Sequence, residues 1–508
     1  MAARAEITLY NNAPALVLYL GDHLESVVSV EVADGRITNF YAMRNPDKLA
    51  GVTIARRVRR WACVCQADAM RIDPLGLLGS PAAVLRAVGA AAARSGLPPP
   101  AALTGEWFGS RAVIAPTLSA QPTAESACWS ADTPPGADFC APSRNPDGAV
   151  GGGWFGYLSY PDGAGARAPE AAGGWTDCVL RCDAEGAWWY ESLTGATIPD
   201  WLRAAVHTVA RPRPWHIDWT APDRAAHLAG VQACLAAIEA GEVYQACVCT
   251  QFTGLLTGSP LDFFADAVAA TGPARGGYLA GTWGAVASLS PELFLRRAGA
   301  TLASSPIKGT LPAHADPAAL RASVKDVAEN IMIVDLVRND LGRVADIGSV
   351  TVPELLAVKP APGVWHLVST VSARVDPHRP MHDVLTAAFP PASVTGTPKH
   401  RARQLLSQWE PHARGVYCGA VGLTSPIAGT ELNVAIRTVE FDAAGRAVLG
   451  VGGGITADSD PDTEWQECLD KAAATVGLTP AANAEPRRRA RAATAHPDSR
   501  RSPAHTHP

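Results

Sequence analysis

From Pro222 to about Gly477 the chain alternates helical and extended stretches, and the extended ones recur at the short spacing of antiparallel strands. No Rossmann or P-loop signature interrupts them; Gly450 to Gly454 is glycine-rich but lacks a following Gly-Lys-Ser/Thr. Upstream, Pro81 to Ser95 reads as a helix, Pro98-Pro99-Pro100 breaks it, and a strand follows. Ser119 to Asp147 is rich in Pro, Ser, Ala and Asp and reads as an exposed loop. Residues 154–160 and 188–190 read as short aromatic strands, and Pro212 to Pro222 as a linker. Glu485 to Pro508, with Arg487-Arg488-Arg489 and scattered His and Pro, has the composition of a disordered tail.

The first 69 residues stand apart. Residues 27–32 and 35–41 read as a hairpin pair ending in Arg44-Asn45-Pro46-Asp47-Lys48-Leu49, which resembles the last strands of a SnoaL-type (nuclear-transport-factor-like) domain. Two strands cannot bury a core alone. Met70 is therefore expected to be the native start of the remainder, with residues 1–69 a fusion scar or the product of a misplaced start codon.

The composition, 47% hydrophobic and 18% charged with a formal net charge of −5, is that of a soluble globular protein. No basic stripe suggests nucleic acid. The longest early apolar run, Ala13 to Leu20, is too short for a membrane span and lacks a basic leader, so a cytoplasmic location is expected. Among 11 cysteines, Cys63/Cys65 and Cys247/Cys249 form C-x-C pairs, and none repeats as a paired zinc knuckle. In a strand C-x-C puts both thiols on one face, so reduced, buried cysteines are expected.

Lysine is scarce: only Lys48, Lys308, Lys325, Lys359, Lys399 and Lys471 occur in a chain that otherwise uses arginine. Lys308 lies in a Pro/Gly-bounded turn, Ser305-Pro306-Ile307-Lys308-Gly309-Thr310. A primary amine can lose its proton and attack an electrophile, which a guanidinium cannot. The arginine bias also fits base composition alone.

Several segments follow in order: Ser290-Pro291-Glu292-Leu293-Phe294, the Lys308 turn, and the run from Ala328-Glu329-Asn330 to Arg338-Asn339-Asp340-Leu341. Trp365-His366-Leu367, Thr395-Gly396-Thr397-Pro398-Lys399 and Ala435-Ile436-Arg437-Thr438 come next, then Gly452-Gly453-Gly454-Ile455 and Glu464-Trp465-Gln466-Glu467. Over about residues 75–478 this series closely resembles the chorismate-utilising enzymes: the synthase components of anthranilate and aminodeoxychorismate synthase, isochorismate synthase and salicylate synthase. The resemblance implies an α+β fold, a large two-lobed β-sandwich flanked by helices. It also implies an N-terminal lobe at 70–215, a chorismate-binding catalytic domain at 222–478 and a tail at 479–508.

From the residues alone, Glu329 sits in a helix apolar nearly all round and is expected to be buried with a positive partner. Glu464 and Glu467 lie at i,i+3 on one helical face, equally a solvated pair or oxygen ligands. Arg437 reads as a carboxylate clamp or a structural ion pair, His366 as a core histidine, and Glu292 as a strand-end ion pair. The resemblance adds that Glu329 and Glu467, with Glu464 nearby, hold Mg²⁺ against the ring carboxylate. Arg437, Tyr417, Thr310, Gly453 and Gly454 would bind substrate, His366 would stand near the reacting ring positions, and Glu292 would protonate the departing C4 hydroxyl.

Two positions then separate the branches. Isochorismate and salicylate synthases carry a water-activating lysine where this chain has Gln245. Anthranilate synthases usually show alanine where Lys308 stands, and aminodeoxychorismate synthases show lysine. The resemblance thus implies component I of aminodeoxychorismate synthase, in which neutral Lys308 attacks C2 and ammonia then adds at C4. Burial or a nearby cation should favour the neutral amine. Anthranilate synthase component I is the alternative, and a non-catalytic chorismate-binding subunit the remote one. No G-x-C-x-G glutaminase nucleophile is present, so a separate glutamine amidotransferase subunit is expected to supply ammonia. Departures from the family pattern are Cys247 for a frequent asparagine, Pro391-Ala392-Ser393 for Gly-Gly-Ser, and Ala313 or His314 where an arginine often follows the lysine turn.

Overall fold

The computed structural model describes residues 70–129, 148–162 and 168–481 with their side chains, and the backbone of residues 3–10, 13–20, 23–33 and 36–43. The chain divides into two compact units, Met1–Asp68 and Ala69–Pro508. The first holds four antiparallel strands in sequential order, Ala3–Tyr10, Ala13–Leu20, His23–Ala33 and Arg36–Met43. The expected hairpin is its second half. The run Ala13–Leu20, noticed only for its apolarity, is a strand as well, so this segment is larger than a two-strand remnant. Residues 44–69, with the Cys63/Cys65 pair, lie outside the described residues, as do most of the expected loop (130–147) and tail (482–508).

The second unit is built on a 12-stranded and a 10-stranded antiparallel sheet. Alternating inward residues of both, including Leu103, Val113, Phe155, Tyr157, Leu279, Val286, Val421 and Leu423, form one continuous core between them. Each such side chain contributes roughly 1.5–3 kcal/mol on burial. Helices Pro81–Arg94, Asp200–Val206 and Pro260–Thr271 cover the outer face of the larger sheet. Helices Val324–Gly342 and Met381–Ala388 cover that of the smaller. This is the α+β sandwich expected from the sequence. Residues 70–215 and 222–478 share the larger sheet, since strand Ala101–Trp107 pairs with Arg275–Gly281.

The segment read as a linker contains a strand, His216–Thr220, paired with Gln245–Thr257. Its His-Ile-Asp-Trp-Thr pattern alternates with period two and buries Ile217, a signal that the flanking prolines obscured. The eight described cysteines are all free, and all but Cys178 are buried. Cys247 and Cys249 lie together in the buried first half of strand Gln245–Thr257. Among the described residues no helix is long and apolar enough to cross a membrane.

Candidate active site

Lys308 lies on strand Ile307–Pro312, at the edge of the smaller sheet, where the register against strand Val364–Arg374 slips between Ile307 and Thr310. Gly309 takes φ +89° in that irregularity, a conformation available to glycine at little cost. Such bulges re-aim one side chain out of the ladder. The Lys308 side chain is only 12% exposed, and its Nζ lies 3.9 Å from Glu329 Oε2.

Gln245 opens strand Gln245–Thr257 and is 1% exposed. Its Oε1 is buried with no hydrogen-bond partner among the described residues, an acceptor that a bound hydroxyl or water would satisfy. Gly454, on the paired strand Arg446–Ile455, lies beside both side chains. A Cβ there would lie 2.4 Å from Gln245 Nε2 and 3.2 Å from Lys308 Nζ. Gly454→Ala is therefore expected to push both side chains aside and lower turnover by about 10²-fold. Overpacking should lower stability by only about 1–3 kcal/mol. Steady-state rates alongside a thermal melt check this, and full activity would show that neither side chain needs its present place.

Glu292 follows strand Gly284–Ser290 and is 3% exposed. Its backbone N–H donates to Ser290 Oγ at 3.1 Å, and its carbonyl accepts from Val434 N–H, fixing the residue between two strands. Burial pushes its carboxyl up to about 7, against the opposing pull of the Ser393 hydroxyl, the Lys308 charge and the Ile307 N–H. A carboxyl poised there can donate a proton at neutral pH. Ser393, noticed in the sequence only as part of a departure from pattern, is thus a direct partner of the acid.

Glu329, on helix Val324–Gly342, is buried as expected, with two lysines rather than one as its positive neighbours. Burial raises its carboxyl; Lys308 and Lys325 lower it, while Asp326 and Glu467 raise it further. Glu464 and Glu467 share helix Pro461–Val476, which is capped by Asp460 and has proline at its first position. Glu464 Oε1 accepts from Lys325 Nζ at 3.1 Å and from Ser459 Oγ at 2.6 Å, while Glu464 Oε2 is buried without a partner. Glu467 is opposed by burial but held below its ordinary range by Lys471, whose Nζ lies 2.7 Å from Oε1.

Among the described residues no three His, Cys, Asp or Glu side chains are grouped as a metal cage. Mg²⁺ needs none, because it takes one or two carboxylates and fills its remaining positions with water and substrate oxygens. The orphaned Glu464 Oε2 and the mutual fields of Glu329 and Glu467 fit a cation shared with an acidic ligand. A Cβ on Gly453 would lie 2.9 Å from Glu464 Oε2, so this glycine keeps that oxygen accessible.

His366 Nδ1 lies 2.9 Å from Thr310 Oγ1, and burial together with the Arg437 charge depresses the imidazole to about 4. His366 is thus neutral near pH 7, able to hydrogen-bond but not to serve as a cation. Arg437 adopts φ +51° with its carbonyl bound to Leu289 N–H. Burial alone lowers the Arg437 guanidinium, and no carboxylate lies within salt-bridge distance of it among the described residues, against the ion-pair reading. Tyr417 packs its ring on Gly450, where a Cβ would meet it at 2.2 Å, and burial holds its phenol protonated. The Tyr417 neighbours are Cys247, Cys249 and Cys418.

Sequence reasoning left Lys325 and Lys471 without roles. Their spacing held the signal, because each stands four residues from a glutamate on its own helix, Lys325 before Glu329 and Lys471 after Glu467. All five described lysines pair with carboxylates: Lys308 with Glu329, Lys325 with Glu464, Lys359 with Glu354, Lys399 with Asp340 and Lys471 with Glu467.

Residues 117–477 match the sequence model of the family described as chorismate binding enzyme. Aminodeoxychorismate synthase component 1 of Klebsiella aerogenes is 39% identical over 282 residues, 53% of this chain and 62% of that protein. Anthranilate synthase component 1 of Streptomyces coelicolor is 39% identical over 246 residues, 47% of this chain and 48% of that protein. The matches span about half the length of the curated relatives. The crystal structure of anthranilate synthase component I from Streptococcus pneumoniae TIGR4 superposes with a TM-score of 0.58 at 20% identity, covering 85% of this chain and 97% of that one.

Proposed function

The chain belongs to the chorismate binding enzymes, and from that premise we propose that it aminates chorismate at C4, the chemistry of an aminodeoxychorismate synthase component 1. The observation that carries the reading is a buried amine, Lys308, sharing its surroundings with Glu292, a carboxyl that burial holds near pH 7. In the first step the Lys308 Nζ lone pair forms a bond to C2, the ring double bonds shift, and the C4–O bond breaks. The Glu292 proton goes to the departing hydroxyl, which leaves as water. In the second step ammonia attacks C4, the double bonds shift back, and the C2–N bond returns its electron pair to Lys308. The new C4 amine keeps its proton as an ammonium, because primary amines titrate well above neutrality.

Arg437 would hold the enolpyruvyl carboxylate bidentately. Thr310 would orient the neutral His366 beside the ring. Gln245 offers an amide in place of a water-activating amine, so ammonia meets no competing activated water. Glu329, Glu464 and Glu467 would hold Mg²⁺, which when bound neutralises the ring carboxylate and orients it. Ammonia would come from glutamine through a separate amidotransferase, as the words "component 1" in the names of relatives suggest, and the reaction would run in the cytoplasm on the way to 4-aminobenzoate and folate.

Incubation with chorismate, Mg²⁺ and ammonium, with the product identified by mass and retention, tests the reading. Expected is 4-amino-4-deoxychorismate, with turnover abolished by chelation and restored by Mg²⁺. Anthranilate as the product would instead place the chain in the other branch, and chorismate binding without turnover would make it a binding subunit.

A further inference from the structure

Glu292 ends the proposed cycle without its proton, and nothing in the chemistry returns it. Its proton leaves with water, ammonia arrives neutral, and the C4 ammonium holds its own proton more tightly than a carboxylate can. Over the cycle Lys308 neither gains nor loses a net proton. At 3% exposure Glu292 has almost no contact with bulk water, so while the substrate path is occupied its proton must return by another route.

A narrow cleft of about 10 Å³, close to the space of one water, is lined by Glu292 and Ser393, by Phe294, Val337 and Ala388, and by Asp340. On the far side of Asp340 opens a cleft of about 650 Å³, bordered by Tyr244, which is 71% exposed, and by Asn339, Lys399 and Arg403. Asp340 is the one residue that lines both. We propose that Asp340 is the proton-return residue for Glu292, passing a proton from the outer cleft through a single water to the spent acid. The Asp340 O–H breaks as the water accepts, the water gives its own proton to the Glu292 carboxylate, and Asp340 is reprotonated from solvent. The idea rests on the amination reading above.

The surroundings of Asp340 suit that traffic. Lys399 Nζ donates to Asp340 Oδ2 at 2.5 Å and to the carbonyls of Ala388 and Pro390, each at 2.9 Å. The two carbonyls keep the ammonium in place whichever charge Asp340 carries. Burial pushes the Asp340 carboxyl up to about 6, against the pull of Lys399 and Arg343. Arg343 stands one turn along the same helix, and Arg403 adds positive charge beyond Lys399. Facing Glu292 are Lys308, the Ser393 hydroxyl and the Ile307 N–H. Two carboxyls poised near neutrality on one small cleft can exchange a proton through water in either direction.

The test is Asp340→Asn in the full chain with chorismate, Mg²⁺ and ammonium, beside Asp340→Glu and the gap-filling Ala388→Val. For Asp340→Asn, kcat should fall by about 10²-fold, with chorismate KM unchanged and a saturable recovery as acetate is added. Asp340→Glu should retain most of kcat, whereas Ala388→Val, with the carboxyl intact, should lose it without recovery by acetate. If Asp340→Asn does not fold, Ala388→Val decides. An undiminished kcat in Asp340→Asn or in Ala388→Val, or a loss in Asp340→Asn that neither acetate nor glutamate at the same position relieves, overturns the proposal. Absence of any 4-amino product from the unaltered enzyme would instead sink the amination reading itself.

Discussion

Lys308→Ala is expected to lower formation of the 4-amino product by at least about 10³-fold, the scale seen when a group acting directly on the reacting atoms is removed. Chorismate binding should survive, because the carboxylate contacts proposed for Arg437 and the Mg²⁺ held by Glu329, Glu464 and Glu467 do not depend on the amine. The substitution also empties the space beside Gly454 and Gln245. Ammonia reaching that space could attack C2 directly, so a trace of 2-amino product should accompany the loss. Equilibrium binding measured beside product analysis separates these effects. Unchanged 4-amino turnover would remove Lys308 from the chemistry. Truncation also leaves Glu329 without the nearer of its two lysines, so thermal melts belong with the kinetics.

Glu292→Gln is expected to lower kcat by about 10²–10⁴-fold while leaving chorismate affinity nearly intact, since the amide keeps the shape but cannot give up a proton in the same way. In the unaltered enzyme the protonated form is the active one. The limb set by Glu292 should therefore be a decline as pH rises through about 7, the position to which burial pushes this carboxyl. The variant should lack that limb.

Stability runs the same way. The folded-state value is raised above the unfolded one, so between the two the native state binds more protons and loses stability with rising pH. At pH 8 the buried charge is fully present in the unaltered enzyme and absent in Glu292→Gln, which should melt higher there and show little difference at pH 4. A variant destabilised at both pH values would mean that the carboxylate is a structural anchor rather than a poised acid.

The linear order of motifs made the fold class legible, because many short segments had to agree and did. Single elements were harder. Helix Pro81–Arg94 was legible up to the Pro98-Pro99-Pro100 break, whereas strand His216–Thr220 hid between prolines that suggested a linker. Within the site, lysine scarcity drew attention to Lys308, but scarcity cannot show what a lysine faces. Lys325 meets Glu464 across 139 residues of chain and Lys399 meets Asp340 across 59, contacts set by how helices pack on the two sheets. The bulge that turns Lys308 out of its strand is likewise a matter of register against a strand more than 50 residues away. Ser393 shows the limit most clearly. In the sequence it was part of a substituted tripeptide flanking the site, and in the fold its hydroxyl reaches the acid.

The covalent role of Lys308 is the centre of this account, and it can be observed without measuring a rate. Enzyme incubated with chorismate and Mg²⁺, with ammonia and glutamine withheld, should accumulate an adduct. Its mass should exceed that of the protein by chorismate less one water, and peptide mapping should place it on Lys308. Addition of ammonium should discharge the adduct as 4-amino-4-deoxychorismate. Efficient formation of that product, with no adduct trapped and with the same turnover in Lys308→Ala, would contradict the account directly.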